Sequence, residues 1–244
     1  MEEISLKAQQ IFSIGNFSMT NGLFLALLTG LVLIIFAFAF KDKVKMIPGK
    51  VQGLVEIGVE TLLNLMKSVL ESQEAAEKYL PLIATIFIFI MTSNWLGLLP
   101  GVGSFMFESG HTEVPLLRSP AADLNFTLAL AIISVVMTNL FGIIALGFFT
   151  HAKKYFNFSS PVNFFVGILE LMSEVSKIVS FSFRLFGNVF AGEVLLMIIF
   201  FLIPYVVPIP FLLLELFVGM IQAFIFSMLT LVFLAGNIAV HEEH

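Results

Sequence analysis

Two ionisable side chains, Arg184 and Glu193, stand inside the run SFSFRLFGNVFAGEVLL at residues 180–196, whose other residues suit lipid. A guanidinium stays protonated in proteins, so Arg184 cannot relay a proton. Placing it at mid-membrane costs at least ~2.5–3.5 kcal/mol. What it can do is favour the ionised form of a carboxyl that comes near it. A fixed arginine would thus make a passing acid release its proton. Acids do the complementary work, because carboxyls in a low-dielectric medium exchange protons near neutral pH, and intramembrane acids commonly mark proton relays. Glu193 and Glu215 are the candidates here. Each also has a plainer reading, a hydrogen-bonded structural acid for the glutamates and a buried ion pair locking two helices for Arg184.

The helix around Arg184 carries these groups in a pattern. At 100° per residue, Glu170, Lys177 and Asn188 all fall within about 40° of Arg184. Ser173, Ser180, Gly187 and Ala191 share that side. Small residues allow close approach of another helix, so the stripe suits a protein or water neighbour. Glu193 lies on the opposite side and cannot pair with Arg184, since only positions three or four apart meet. Further along, Glu215 and Gln222 are seven apart and share a face. If the two segments fold back antiparallel about Ile203–Pro204, Arg184 stands level with Gln222 and Glu193 with Glu215. These two polar levels would lie ~13.5 Å apart.

The elements that must hold these groups are membrane spans. The chain has 244 residues, of which 59% are hydrophobic and 12% charged, with a mean hydropathy of +1.02; a soluble domain is about a quarter charged. Residues 22–40 form an uncharged first span, long enough for the ~30 Å hydrocarbon core. Residues 51–73 read as an amphipathic helix lying in the interface, with Gln52, Glu56, Glu60, Asn64, Lys67 and Glu71 on one side. Residues 80–99 and 124–149 form the second and third spans. The stretch 161–240 reads as a long helical hairpin turning at Pro204, Pro208 and Pro210. Its second helix, 205–240, would be ~54 Å long, so it must tilt by more than about 50° or break. The expected fold is thus an all-α membrane protein forming a single membrane domain, with about five crossings, one interfacial helix and a steeply tilted terminal hairpin.

Charge orients it. Lys41, Lys43, Lys45, Lys50, Lys153 and Lys154 crowd two connections, whereas the 100–123 loop carries only Arg118 and the N-terminus only Lys7. Lysine-rich loops stay cytoplasmic, which places the N-terminus outside and the C-terminus inside. The acidic, polar MEEISLKAQQ start lacks the basic region of a cleaved signal peptide. The absence of cysteine excludes disulfides and thiolate chemistry. His111, His151, His241 and His244 have no metal-ligand spacing, no internal repeat is evident, and no glycine loop could cradle phosphate. The net charge of −5, without a basic tract, argues against nucleic acid. No cofactor is expected.

The run SFSFRLFGNVFAGEVLL, with IQAFIFSMLTLVFL at 221–234, TSNWLGLLPG at 92–101 and SPAADLNFTLALA at 119–131, resembles subunit a of rotary F-type ATP synthases. The likeness runs from about residue 80 to the end. It implies a stator subunit in the bacterial plasma membrane, beside a c-ring of small carboxylate-bearing subunits and in a complex with peripheral-stalk b subunits. In that family Arg184 would face the ring with Asn188 and Gln222 as polar neighbours. Glu193 and Glu215 would line an outer half-channel with Asp123 and Asn125 near its mouth, and Glu170, Glu174 and Lys177 would line an inner one. Some members carry a histidine at one of the two glutamate positions; this chain has glutamate at both, so a histidine switch does not transfer. The resemblance implies no catalytic site on this chain itself. The alternatives are a stand-alone proton-coupled carrier, which would not need the arginine motif, and a passive assembly subunit.

Overall fold

The computed structural model describes residues 9–14, 17–42, 44–99, 106–109, 112–155 and 160–239. Lys7, Lys43, His111, His241 and His244 lie outside the described residues. Seven helices dominate: α1 (Asn21–Lys41), α2 (Lys50–Leu70), α3 (Gln73–Gly97), α4 (Leu124–Leu146), α5 (Phe148–Lys153), α6 (Pro161–Leu202) and α7 (Pro208–Ile238). Five of them, α1, α3, α4, α6 and α7, are long and apolar enough to cross a membrane. The protein is an all-α membrane protein, as its sequence predicts.

Local chemistry sets the helix ends. Thr20, Ser72, Asp123 and Ser160 are N-caps whose side chains accept from backbone N–H groups of Leu23, Ala75, Asn125 and Asn163, satisfying donors that a helix start leaves orphaned. Pro161 and Pro208 occupy first-turn positions, where no intrahelical N–H bond is lost. Gly147 closes α4 at φ 85°, a conformation that favours glycine. The predicted third span ends at 149, but this glycine stops it at 146 and lets α5 start in a new direction.

Two short antiparallel ribbons were not expected from the sequence: β1 (Gln10–Ile14) with β2 (Phe17–Thr20), and β3 (Met106–Ser109) with β4 (Thr112–Pro115). The first precedes α1 and the second lies within the 100–123 loop. After β4 the chain enters a buried 3-10 turn, Pro120–Ala122, wedged against α1 at Gly22 and α3 at Gly97. The amphipathic helix α2 packs Leu62 and Met66 against Tyr79 and Ile83 of α3 and Leu231 and Leu234 of α7. Gln52, predicted on its solvated side, is instead buried. Its amide brackets the backbone of Lys45 at 3.0 and 2.8 Å and donates to Glu56 at 2.8 Å.

The core that carries α6 is built from Ile86 and Ile90 of α3, Ala131 of α4, Phe181 and Leu185 of α6, and Ala223 and Phe226 of α7. Contacts between α6 and α7 run antiparallel. The Phe181 ring meets Phe226 at 4.9 Å and Phe233 at 5.4 Å, and Lys177 sits over Phe233 at 4.7 Å. At the other end Gly192 abuts Glu215. Polar contacts bolt the bundle: Ser134 to Thr230 at 2.8 Å and Thr127 to Ser182 at 3.1 Å, while Asn94 and Trp95 donate to the α7 carbonyls of Gly219 and Leu216 at 3.1 and 3.0 Å. The TSNW segment of the second span thus acts as a clamp on α7. The outer surface is rich in exposed Leu, Ile, Val and Phe, such as Leu27, Ile133 and Phe201, the surface lipid requires.

The tightest approach of the buried turn is at Gly97, where an added Cβ would lie 2.7 Å from Ser119 Cβ and 3.0 Å from its Cα. At Gly30 nothing lies within 4 Å. Gly97→Ala should therefore destabilise the subunit by about 1–3 kcal/mol, as overpacking does, and Gly30→Ala should not. Thermal unfolding of the purified complex in detergent, with the amount of assembled subunit, checks the contrast.

Candidate functional site

Arg184 lies on the exposed face of α6. Its one hydrogen bond among the described residues goes from Nη2 to Ser180 Oγ, at 3.3 Å one turn back. No carboxylate within the described residues pairs with it; the three ion pairs found there use other cations. Ser173, Ser176, Ser180, Gly187, Asn188 and Ala191 are exposed beside it. The small, polar stripe read from the sequence is therefore an outward surface around a cation without a counter-charge in its own described chain.

Two predicted members leave that surface. Glu170 and Lys177 are half-buried and satisfied internally, Glu170 by Lys154 at 2.7 Å and Lys177 by Glu174 at 2.7 Å. Helical angle alone placed them with Arg184, but a long flexible side chain can swing toward a counter-ion, and both have one within reach.

They join a larger cluster. Asn139 of α4 donates to Glu174 at 3.2 Å, and the Tyr155 hydroxyl reaches Asn139 Oδ1 at 2.8 Å and Glu174 at 3.3 Å. His151 Nε2 lies 3.1 Å from the same Asn139 oxygen, and Lys154 donates to Asn237 of α7 at 3.2 Å. Gly167 lets the backbone of Tyr155 press directly on α6. Sequence reading caught only the α6 members. Asn139, His151, Tyr155 and Asn237 were missed because they come from three other parts of the chain; the run HAKKY after a span end was the available signal.

The second cluster sits toward the opposite end of α4, where the buried turn begins. Arg118, treated from sequence only as a loop charge, forks onto Glu193: Nη2 to Oε2 at 3.1 Å, and Nε to Oε2 and Oε1 at 3.2 and 3.3 Å. The Arg118 side chain is 12% exposed and that of Glu193 31%. The Glu215 carboxyl rests on Gly192, the residue before Glu193, and makes no ion pair or hydrogen bond among the described residues. Gln222 is buried in α7. Asp123 is buried as the cap of α4, bonded to Asn125 N at 2.9 Å, and Asn125 itself is exposed.

Arg184 thus stands between two polar clusters on one helix. Lys177 is seven residues away, ~10.5 Å, and Glu193 nine residues away in the other direction, ~13.5 Å. One cluster is closed by the connection before α4, the other by the connection after it. No group of acids or histidines among the described residues could hold a metal ion.

Comparison with known proteins gives the family. Residues 23–235 match the family model of the ATP synthase A chain. The chain is 38% identical to an ATP synthase subunit a of Campylobacter jejuni (strain RM1221), covering 89% of each chain. It is 36% identical to those of Campylobacter fetus subsp. fetus, over the whole of both chains, and of Helicobacter pylori (strain Shi470), over 96% of this chain and 99% of the relative.

His151 gives this region a pH response. Burial holds its pKa below the usual 6.5, the Lys154 ammonium lowers it further, and Glu174 pulls the other way. Tyr155 is pushed up by burial and by Glu174, so its hydroxyl stays a donor. The unfolded chain therefore takes up the histidine proton at a higher pH than the folded one. Stability should be flat above pH 6.5 and fall as pH drops below it. His151→Gln should remove part of that slope in thermal unfolding series taken on both sides of 6.5.

Proposed function

This chain belongs to the ATP synthase A chain family, and from that premise we propose that it is the stator whose Arg184 faces a ring of small carboxylate-bearing subunits, fed by two half-channels. As a family member it is an integral membrane component of the ATP synthase complex. The observation that carries the finer reading is the position of Arg184: a permanent cation, exposed among small residues, without a counter-ion in its own described chain. A desolvated cation of this kind calls for a carboxylate from elsewhere.

Orientation follows from the lysines. Lys41, Lys45, Lys50, Lys153 and Lys154 gather at the α5 end, which we place in the cytoplasm, with the N-terminus and the Arg118 end outside. A proton enters past Glu193 and Glu215 and neutralises a ring carboxylate. The neutral acid moves through lipid at low cost. When it returns from the other side it meets the inner cluster of Glu170, Glu174 and Lys177 and releases its proton toward the cytoplasm. Arg184 then pairs with the ionised carboxylate and keeps the two half-channels from joining, since a proton cannot hop through a guanidinium. Each charge crossing 100 mV is worth ~2.3 kcal/mol, so several protons are needed per ATP made elsewhere in the complex. Asn188 and Gln222 flank the passage, and b subunits of a peripheral stalk hold the chain against torque.

Arg184 contributes one exposed 3.3 Å contact to its own fold, so Arg184→Ala should assemble normally. ATP-driven proton pumping in reconstituted vesicles should nevertheless be abolished. Pumping that persists with normal assembly would falsify the stator reading, and cysteine cross-links from position 187 or 191 to a co-purified small hydrophobic subunit should form in the intact complex.

A further inference from the structure

Building on the half-channel reading, we infer that Glu193 and Glu215 divide their work: Arg118 holds Glu193 as a fixed anion, and Glu215 is the carboxyl that takes up and hands on the proton. Arg118 is a positioning residue, acting through Glu193.

The first observation is the fork. Two nitrogens of Arg118 reach both oxygens of Glu193 in three contacts of 3.1 to 3.3 Å. Bidentate guanidinium–carboxylate pairs are the strong, geometrically specific kind. The Arg118 backbone is held as well, because the next residues form the buried Ser119–Ala122 segment packed on Gly22 and Gly97. Protonating Glu193 would leave a mostly buried guanidinium, which cannot give up its own proton, without its counter-charge. Removing one partner of a buried pair is strongly unfavourable. A carboxylate held in this way is a poor carrier.

The second observation is the freedom of Glu215. It has neither ion pair nor hydrogen bond among the described residues. Its carboxyl occupies the space that any Cβ at position 192 would fill, so Gly192 is what admits it to α6 one residue before Glu193. The groups around it are few. From α6 come Glu193 and, about eight residues along, Arg184. From the connection before α4 comes Arg118, already engaged. From α3 come the neutral Asn94 and Trp95, whose N–H groups donate to α7 carbonyls. From α7 itself comes Gln222. Among the described residues no cation pairs with Glu215, and Arg184 stands ~12 Å along the helix from Gly192, so Glu215 can bind a proton and release it. The AGE triplet of the sequence then reads as glycine for the mobile acid followed by the fixed one.

The test uses the whole ATP synthase in vesicles, with ATP synthesis driven by an acid step and measured against the pH of the proton-entry side. Glu215→Gln should lower the rate about a hundredfold or more, the usual range for loss of a proton-transfer group. Glu193→Gln should impair it less, and the double variant Arg118→Gln/Glu193→Gln should recover a rate above that of Glu193→Gln alone, because no cation is then stranded. Arg118→Gln alone should add a second titration step to the pH profile, as Glu193 becomes free to titrate, and the double variant should lose that step. A merely structural Arg118 would change the rate without adding a step. The inference is overturned if the profile of Arg118→Gln keeps its shape, if the double variant is no better than Glu193→Gln, or if Glu215→Gln remains active. Should Arg118→Gln not assemble, the two single glutamine variants decide by their order, and the reverse order overturns the division. An inactive Arg184→Ala alongside that reverse order would leave the stator reading standing.

Discussion

A charge that cannot be discharged, set where water is scarce, constrains the whole molecule. Arg184 keeps its proton under any physiological condition, and α6 presents it outward with, among the described residues, a serine hydroxyl as its one hydrogen-bond partner. Three cations of the polar clusters are matched inside the chain: Arg118 by Glu193, Lys154 by Glu170, Lys177 by Glu174. The contrast matters because the chain has acids to spare, and three of them lie on the same helix. Position on the helix keeps them away. Glu193 is half a turn of angle from Arg184, and Glu170 and Glu174 are far enough along the axis to be captured by the connection after α4.

Holding such a residue at a fixed place requires a stiff support, and the bundle supplies one without large polar bonds. Phe181 and Leu185 of α6 pack into a core shared with α3, α4 and α7, and small hydroxyl pairs such as Ser134 with Thr230 join helices at close range. Apolar burial drives little association between helices in lipid, so close packing and short polar contacts carry the load. The glycines sit where one element must touch another: Gly97 against Ser119, Gly142 against His151 and the backbone of Asn237, Gly192 against Glu215.

The parts of this layout legible in the sequence are those written locally. Five spans follow from apolar run length, the turn after α6 from three prolines, and the Arg184 surface from helical angle and residue size. What escaped depends on partners distant in sequence. Arg118 lies 75 residues from Glu193, and no periodicity links them. Lys177 and Glu170 were placed on the outward surface by angle, yet their side chains are long enough to turn inward. His151 looked like an unremarkable loop histidine until α5 folded it beneath Asn139. The β ribbons are short and amid polar loop residues, where strand alternation has too few positions to register.

The two clusters differ in a way that matches their places on opposite sides of the arginine. Around Glu174 one carboxylate serves Asn139, Tyr155 and Lys177 at once. On the proposed half-channel reading, a proton reaching Glu174 would meet a carboxylate already engaged by donors, which favours passing it on rather than storing it. Around Glu193 the arrangement is sparser, one clamped carboxylate beside one unengaged carboxyl. A proton arriving from that side finds a single open acceptor. The asymmetry is chemical rather than merely topological. On the proposed half-channel reading, one end would offer a site at which a proton waits for a rotor acid, and the other a network through which a released proton leaves. Between them stands Arg184, a residue that can do neither, and on that reading it keeps entry and exit apart.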